Sequence, residues 1–194
     1  GFSWRGVTDP SNIDDWISGT NGVGFERGSG EGYTPFISTP LDDMWNTNAT
    51  VYLRYEFTIP DQAALESISA LQLRMRFDDG FGAYLNGALV AWANMGEATW
   101  NATASAANSD LDAVRFEPFD LSAQIVQLQV GRNVLAIHGQ NRSTRSSDFL
   151  IEASLSSSTA TRASVSASAL PYVGTLPINR STLIRSRVLS DTDQ

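Results

Sequence analysis

Hydrophobic and polar residues alternate over several short stretches of this chain, and one stretch alone carries a helical spacing. In VYLRYEFTI, residues 51–59, the side chains of Val51, Leu53, Tyr55, Phe57 and Ile59 share one face of an extended strand, which Pro60 closes. LQLRMRF (71–77), NVLAIHGQN (133–141) and DFLIEASL (148–155) alternate in the same way, the last placing Phe149, Ile151, Ala153 and Leu155 together. DLSAQIVQLQVG differs. Its Leu121, Ile125 and Leu128 recur at helical spacing behind Ser122 as a cap, which predicts one or two turns ended by Gly131. Residues 1–50 carry turn residues at short intervals, as in SGTNGVG and ERGSGEGY. Many short strands with little helix predict an all-β, antiparallel jelly-roll β-sandwich over residues 1–155.

RMRFDDGFGAYLNGALVAW, residues 74–92, reads as two consecutive hairpins. Phe77-Asp78-Asp79-Gly80-Phe81 fits a three-residue loop with Gly80 in the left-handed position, and Leu85-Asn86-Gly87-Ala88 fits a type I′ turn. That register pairs Met75 with Ala83, Leu73 with Leu85, Ala83 with Val90 and Phe81 with Trp92. One face then gathers Leu71 through Trp92 as a nearly continuous apolar surface, with Trp92 in the core. The opposite face carries Arg74, Arg76 and Tyr84, with Arg74 across from Tyr84 within stacking range.

Beyond the expected sandwich, SSSTATRASVSASA (156–169) has the composition of a linker. Residues 170–194 then resume alternation in Leu183, Arg185, Arg187 and Leu189.

Composition narrows the function. All 13 basic residues are arginine against 21 acids, a net charge of −8, which disfavours nucleic acid and anionic membrane surfaces as partners. No run of about 18 apolar residues is present, so membrane insertion is not expected. With no cysteine, thiol catalysis and thiolate metal sites are excluded. The single histidine, His138, alternates with Val134 and Ala136 and reads as a satisfied sheet position rather than part of a catalytic triad.

The order of motifs resembles the galactose-binding-like jelly-roll modules of large secreted bacterial proteins, those found beside lamin-tail and spore-coat-kinase-like domains. The resemblance rests on WISGTNGVGFE, NATVYLRYEF, RMRFDDGFGAYLNGALVA and GRNVLAIHGQNRSTRSSDFLI, and spans about residues 12–155. It implies a non-catalytic, extracellular or cell-surface bacterial module, of a kind in which sugars bind at loop ends or on a concave face and a structural calcium ion is sometimes held. The tail LPYVGTLPINRSTLIRSRVLS resembles part of a chitobiase C-terminal immunoglobulin-like module, without that family's earlier strand.

Several residues are candidates for chemistry. Trp45 and Trp100, in polar loops, are expected sugar-stacking platforms, whereas Trp16 and Trp92 are assigned to packing. Arg74, Arg76, Tyr84, Asn141 and Arg142 could meet hydroxyls or carboxylates. Asp78 and Asp79 are either turn residues bonding nearby amides or calcium ligands, and Asp110 and Asp112 form a second calcium candidate. The expected function is binding of a polysaccharide or other glycan without catalysis. The rival is a structural or adhesive module that self-associates through its tail.

Overall fold

The computed structural model describes residues 3–28, 30 and 32–159, and the expected all-β sandwich is what they form. Nine strands, β1 (Val23–Glu26), β2 (Thr39–Pro40), β3 (Thr50–Ile59), β4 (Ile68–Asp78), β5 (Gly80–Leu85), β6 (Ala88–Ala93), β7 (Glu117–Asp120), β8 (Gly131–Gln140) and β9 (Asp148–Thr159), are described. They make a five-stranded sheet in the order β2-β1-β9-β4-β7 and a four-stranded sheet in the order β3-β8-β5-β6. Every pairing is antiparallel except the short one between β1 and β2.

The core lies between the sheets and is built from the alternating positions. Leu73, Met75, Phe77, Phe81, Leu85, Ile137, Phe149 and Ile151 are buried there. Phe81 meets Phe77 and Phe119 edge-on, at 4.9 and 5.3 Å between ring centres. Each such side chain contributes roughly 1.5–3 kcal/mol by leaving water. Central β8 is buried on both faces: Leu135 and Ile137 point inward, while Val134 and Ala136 are covered from outside by Trp4 and Tyr84.

Helical structure is slight. The helix α1 (Gln62–Ser67) is capped by Asp61, whose side chain accepts the Ala64 amide at 2.8 Å, and α2 (Asp110–Ala113) is a single turn. The expected turns after Leu121 are present as a 3-10 segment, Ser122–Gln127. Ser122 is its first residue and makes no cap; Leu121 takes the cap position, and Asp120 accepts both the Ser122 amide and its hydroxyl.

The first of the two expected hairpins does not form. β4 belongs to the five-stranded sheet and pairs with β9 and β7, whereas β5 belongs to the other sheet and pairs with β8 and β6. Met75 therefore sits opposite Ala153 and Glu117 rather than Ala83, and Leu73 opposite Leu155 and Phe119 rather than Leu85. Arg74 and Tyr84 lie on different sheets and do not meet. Alternation identifies which side chains face the core. Two strands facing one core from opposite sheets show the same pattern as two neighbours in one sheet. Asp78-Asp79-Gly80 is the crossing, its first peptide is cis, and Gly80 does not adopt a positive φ. Glycine serves there because a Cβ would lie 2.5 Å from the Asn94 carbonyl oxygen.

The second hairpin forms as expected, with φ of 51° at Asn86 and 97° at Gly87 and Leu85 opposite Ala88. A bulge then shifts the register. Tyr84 pairs with Leu89 but Ala83 with Ala91, so Phe81 faces Ala93 and Trp92 faces Gly82. One extra residue turns Trp92 to the outer face, where it is 61% exposed, and Ala91 and Ala93 take the inward positions.

β9 continues through Thr159, past the expected boundary at 155, because Ser156–Thr159 pair with Ile68–Gln72 of β4. The chain divides into units 1–161 and 162–194. The remainder of the expected linker (160–169) and the immunoglobulin-like tail (170–194) lie outside the described residues.

The bulge yields a direct contrast. Trp92→Ala should change unfolding free energy by no more than about 0.5 kcal/mol, the usual range for surface positions. Phe81→Ala should remove about 3–5 kcal/mol, as a cavity in the core does. Urea unfolding followed by fluorescence measures both, and a large loss at Trp92 would restore the straight register.

Candidate functional site

A groove of about 820 Å³ runs along one flank of the sandwich, lined by residues of one edge strand from each sheet, β2 and β3, and by the segment from Pro10 to Thr20. Outward-facing positions of β3 supply its aromatic floor. Trp4 stacks on Tyr52 at 4.1 Å between ring centres with 17° between planes, and Trp100 meets Tyr52 edge-on at 5.2 Å. Trp4 is buried and Tyr52 half-buried, while Trp100 is 54% exposed. Half-buried Trp16 lines the groove too, with Asn12, Asp15, Thr20, Asp43 and Asn48 as polar groups.

The wall made by the N-terminal segment is tied to β3 by arginine. The Arg54 side chain is 4% exposed and donates to the Trp4 carbonyl at 2.5 Å, the Gly6 carbonyl at 2.9 Å and the Asp9 carboxylate at 3.1 Å. Arg132 pairs with Asp9 and Glu56 across the same seam. These bonds hold Trp4 against Tyr52.

Trp100 is positioned from the other side by a network of polar side chains. Asn101 accepts the Ala49 amide on its side-chain oxygen at 2.5 Å, and its own amide donates to Thr50 Oγ1 at 2.9 Å. Buried Gln140 accepts the Gly96 amide and donates to the Glu97 carbonyl, each at 2.8 Å. Asn94 donates to the Asp79 carbonyl, and the Asp79 carboxylate accepts the Asn108 amide at 3.1 Å and the Arg142 amide at 2.8 Å. The Asp-Asp-Gly crossing thus anchors both ends of the loop that carries Trp100.

The sequence-predicted residues are scattered by this architecture. Trp100 is in the groove. Trp45 is 36% exposed but lies outside the groove lining, with the Arg27 guanidinium 4.2 Å from its ring centre. Arg74 and Arg76 lie on the outer face of the five-stranded sheet. Arg76 is held between Phe36 and Phe116, at 4.2 and 4.1 Å, and pairs with Glu152 at 2.6 Å, while Arg74 reaches Phe116 at 5.0 Å. Tyr84 is 3% exposed on the other sheet, beneath Arg5, and is not the exposed residue its position suggested. Asn141 is buried rather than solvated, donating to the Asp148 carbonyl at 2.6 Å, and Arg142 donates to the Ala104 carbonyl at 2.7 Å.

Of the four acids considered as calcium ligands, Asp79, Asp110 and Asp112 are engaged by other groups. Both carboxylate oxygens of Asp79 already accept amides, as above, and they do so from residues distant in sequence rather than from a local turn. Asp110 accepts the Tyr33 hydroxyl at 3.3 Å, and Asp112 is engaged by Ser109 and by exposed Arg115. Among the described residues no group of three acidic or histidine side chains is gathered for a metal.

Two groups are buried at an energetic disadvantage. Asp78 is 2% exposed, its Oδ2 has no partner among the described residues, and burial, reinforced by the negative charge of Asp79, pushes its carboxyl up to about 9. His138 is fully buried under Tyr52 and Trp4, and among the described residues neither ring nitrogen finds a partner, so the expectation of a satisfied histidine is corrected. Burial, then the nearby Arg5 charge, lowers it to about 4.

Signals for the residues missed here were faint. Tyr52 is an aromatic on the otherwise polar face of a strictly alternating strand. Trp16 sits in a turn-rich stretch where nothing local separates packing from exposure.

The fold and groove together define an antiparallel β-sandwich with an aromatic, hydroxyl- and carboxylate-bearing flank groove. No family model matches the chain, and no curated protein sequence matches it. Solved structures similar to it include an α-L-rhamnosidase of Streptomyces avermitilis complexed with L-rhamnose, at 22% identity and a TM-score of 0.41. The match covers 58% of this chain and 9% of that one. A native α-L-rhamnosidase from Aspergillus terreus matches at 13% identity and a TM-score of 0.33, over 64% of this chain and 16% of that one.

The two buried groups titrate in opposite senses. For His138 the folded value lies below the unfolded one near 6.5, so its contribution is complete above pH 6.5 and is lost as pH falls toward 4, by about 3 kcal/mol. The stability difference between wild type and His138→Leu should therefore move against the wild type by about that amount between pH 7 and pH 4, read by urea unfolding. For Asp78 the folded value lies above the unfolded one, so wild-type stability falls as pH rises from about 4 to 9. Asp78→Asn should gain melting temperature over wild type progressively across that window; a constant difference would place the carboxyl in contact with water.

Proposed function

We propose that this chain is a non-catalytic glycan-binding module that holds its ligand in the flank groove. The observation that carries the reading is Trp100, half exposed and edge-on to Tyr52 in a groove whose polar groups are hydroxyls, amides and carboxylates. Sugar rings present an apolar face and a rim of hydroxyls, and an aromatic ring flanked by hydrogen-bonding groups matches both. A groove open along a sandwich flank suits a polymer, which passes through rather than being enclosed.

Catalysis finds little support in the side chains. The strongly shifted carboxyl, Asp78, and the single histidine are both buried and do not line the groove. An extracellular or cell-surface setting accords with such a role.

A second reading has one observation in its favour. The edge strand β6 turns Trp92 and Leu89, 61% and 44% exposed, to solvent and carries no charged residue. Native edges are ordinarily blunted by charge or proline, so this edge is suited to a protein contact in a structural or adhesive module. Association through the tail concerns residues outside those described.

Native electrophoresis in gels containing soluble polysaccharides tests the glycan reading. At least one polysaccharide should retard the protein, and Trp100→Ala or Tyr52→Ala should weaken the retardation constant roughly tenfold, the equivalent of about 1.4 kcal/mol of lost stacking. Retardation that both variants retain in full would move the site elsewhere.

A further inference from the structure

We infer that the groove selects uncharged glycans and rejects polyuronates and other anionic polysaccharides; the inference rests on the glycan-binding reading above. The charges along the groove carry it. Among the described residues lining it, Arg54 alone is cationic, and its guanidinium is withdrawn from any ligand. Its side chain is 4% exposed and its terminal nitrogens are taken by the Trp4 and Gly6 carbonyls and by Asp9. Binding of a carboxylate or sulfate chain ordinarily relies on arginine or lysine free to form charge-assisted, often bidentate, hydrogen bonds.

The free charges of the groove are instead negative. Asp15 and Asp43 line it, are exposed, and form no ion pair among the described residues. Carboxylates accept hydrogen bonds from sugar hydroxyls and repel a carboxylate-bearing polymer, and the net charge of −8 adds a long-range field of the same sign. With Asn12, Thr20 and Asn48 the groove that holds Trp100 offers neutral donors and acceptors, and among the described residues it has no free group that compensates a ligand's negative charge. Rejection of anionic chains is thus local to Asp15 and Asp43 and separable from the stacking that Trp100 supplies.

The test uses gels cast with neutral polysaccharides (hydroxyethylcellulose, xyloglucan, galactomannan) or anionic ones (polygalacturonate, alginate). Chelator removes bridging divalent ions, and about 0.15 M salt shortens the Debye length to about 8 Å, so that groove charges dominate over net charge. The expected result is retardation by a neutral polymer and none by either anionic one. The double variant Asp15→Lys, Asp43→Lys, its fold checked by far-ultraviolet circular dichroism matching the wild type, should acquire retardation by polygalacturonate. Wild-type retardation by an anionic polymer equal to that by neutral ones overturns the inference and leaves the glycan reading standing. A double variant with the wild-type circular dichroism spectrum that gains nothing on polygalacturonate overturns it as well. Absence of retardation by every polymer removes the glycan reading and this inference together.

Discussion

The structure turns on a pair of aspartates buried where the chain passes from one sheet to the other. Asp78 ends β4 and Asp79 precedes β5, and both are at most 5% exposed. A buried carboxylate is tolerated where its oxygens are hydrogen-bonded, and Asp79 meets this by drawing in the amides of Asn108 and Arg142. Asn94, Gln140 and Asn101 extend the same network outward to residues 94–108. Loops at that end of the sandwich therefore take their shape from a core requirement. Trp100, the most exposed aromatic of the groove, is placed as a consequence.

The groove itself is a product of unfinished sheet edges. Edge strands present unpaired backbone and half-covered side chains, and proteins cover them or use them. Here β3 is partly covered by the N-terminal segment, through the Trp4–Tyr52 stack and the buried Arg54 guanidinium, and the uncovered remainder is the groove. Individual surface ion pairs contribute little, but the Arg54 bonds to two carbonyls are shielded from water and fix geometry as well as energy. Residues 3–9 thus belong to the site although they form no strand. On the opposite edge, β6 leaves Leu89 and, through its bulge, Trp92 in solvent, so the four-stranded sheet has two differently finished sides.

His138 shows what that arrangement costs. A histidine with neither nitrogen bonded is disfavoured in an apolar site, yet it lies directly beneath the two rings that form the groove floor. Its environment is mainly aromatic, and burial keeps it neutral throughout the physiological range, so the floor stays apolar there.

The apolar faces of β3, β4, β5, β8 and β9, the Asn86-Gly87 turn and the all-β class were legible in residue order alone. Each follows from a period of two or from the backbone freedom of particular turn residues, which are local properties. Trp100 as an exposed aromatic was legible for a similar reason, since its neighbours are polar. The partners of β4 and β5 were not, because strands in one sheet and strands facing each other across a core give identical alternation. Nor was the fate of Trp92, since a single bulge residue inverts every position after it without changing composition. Tyr52, Trp16, Asp15 and Asp43 share a groove although up to 37 positions separate Asp15 from Tyr52 in the chain. Local sequence determined which side chains are apolar-facing and which turns close. Which surfaces meet, and therefore where a ligand could lie, was decided by the sheet-to-sheet crossing and by the burial demands of two aspartates, which exist only once distant segments have packed.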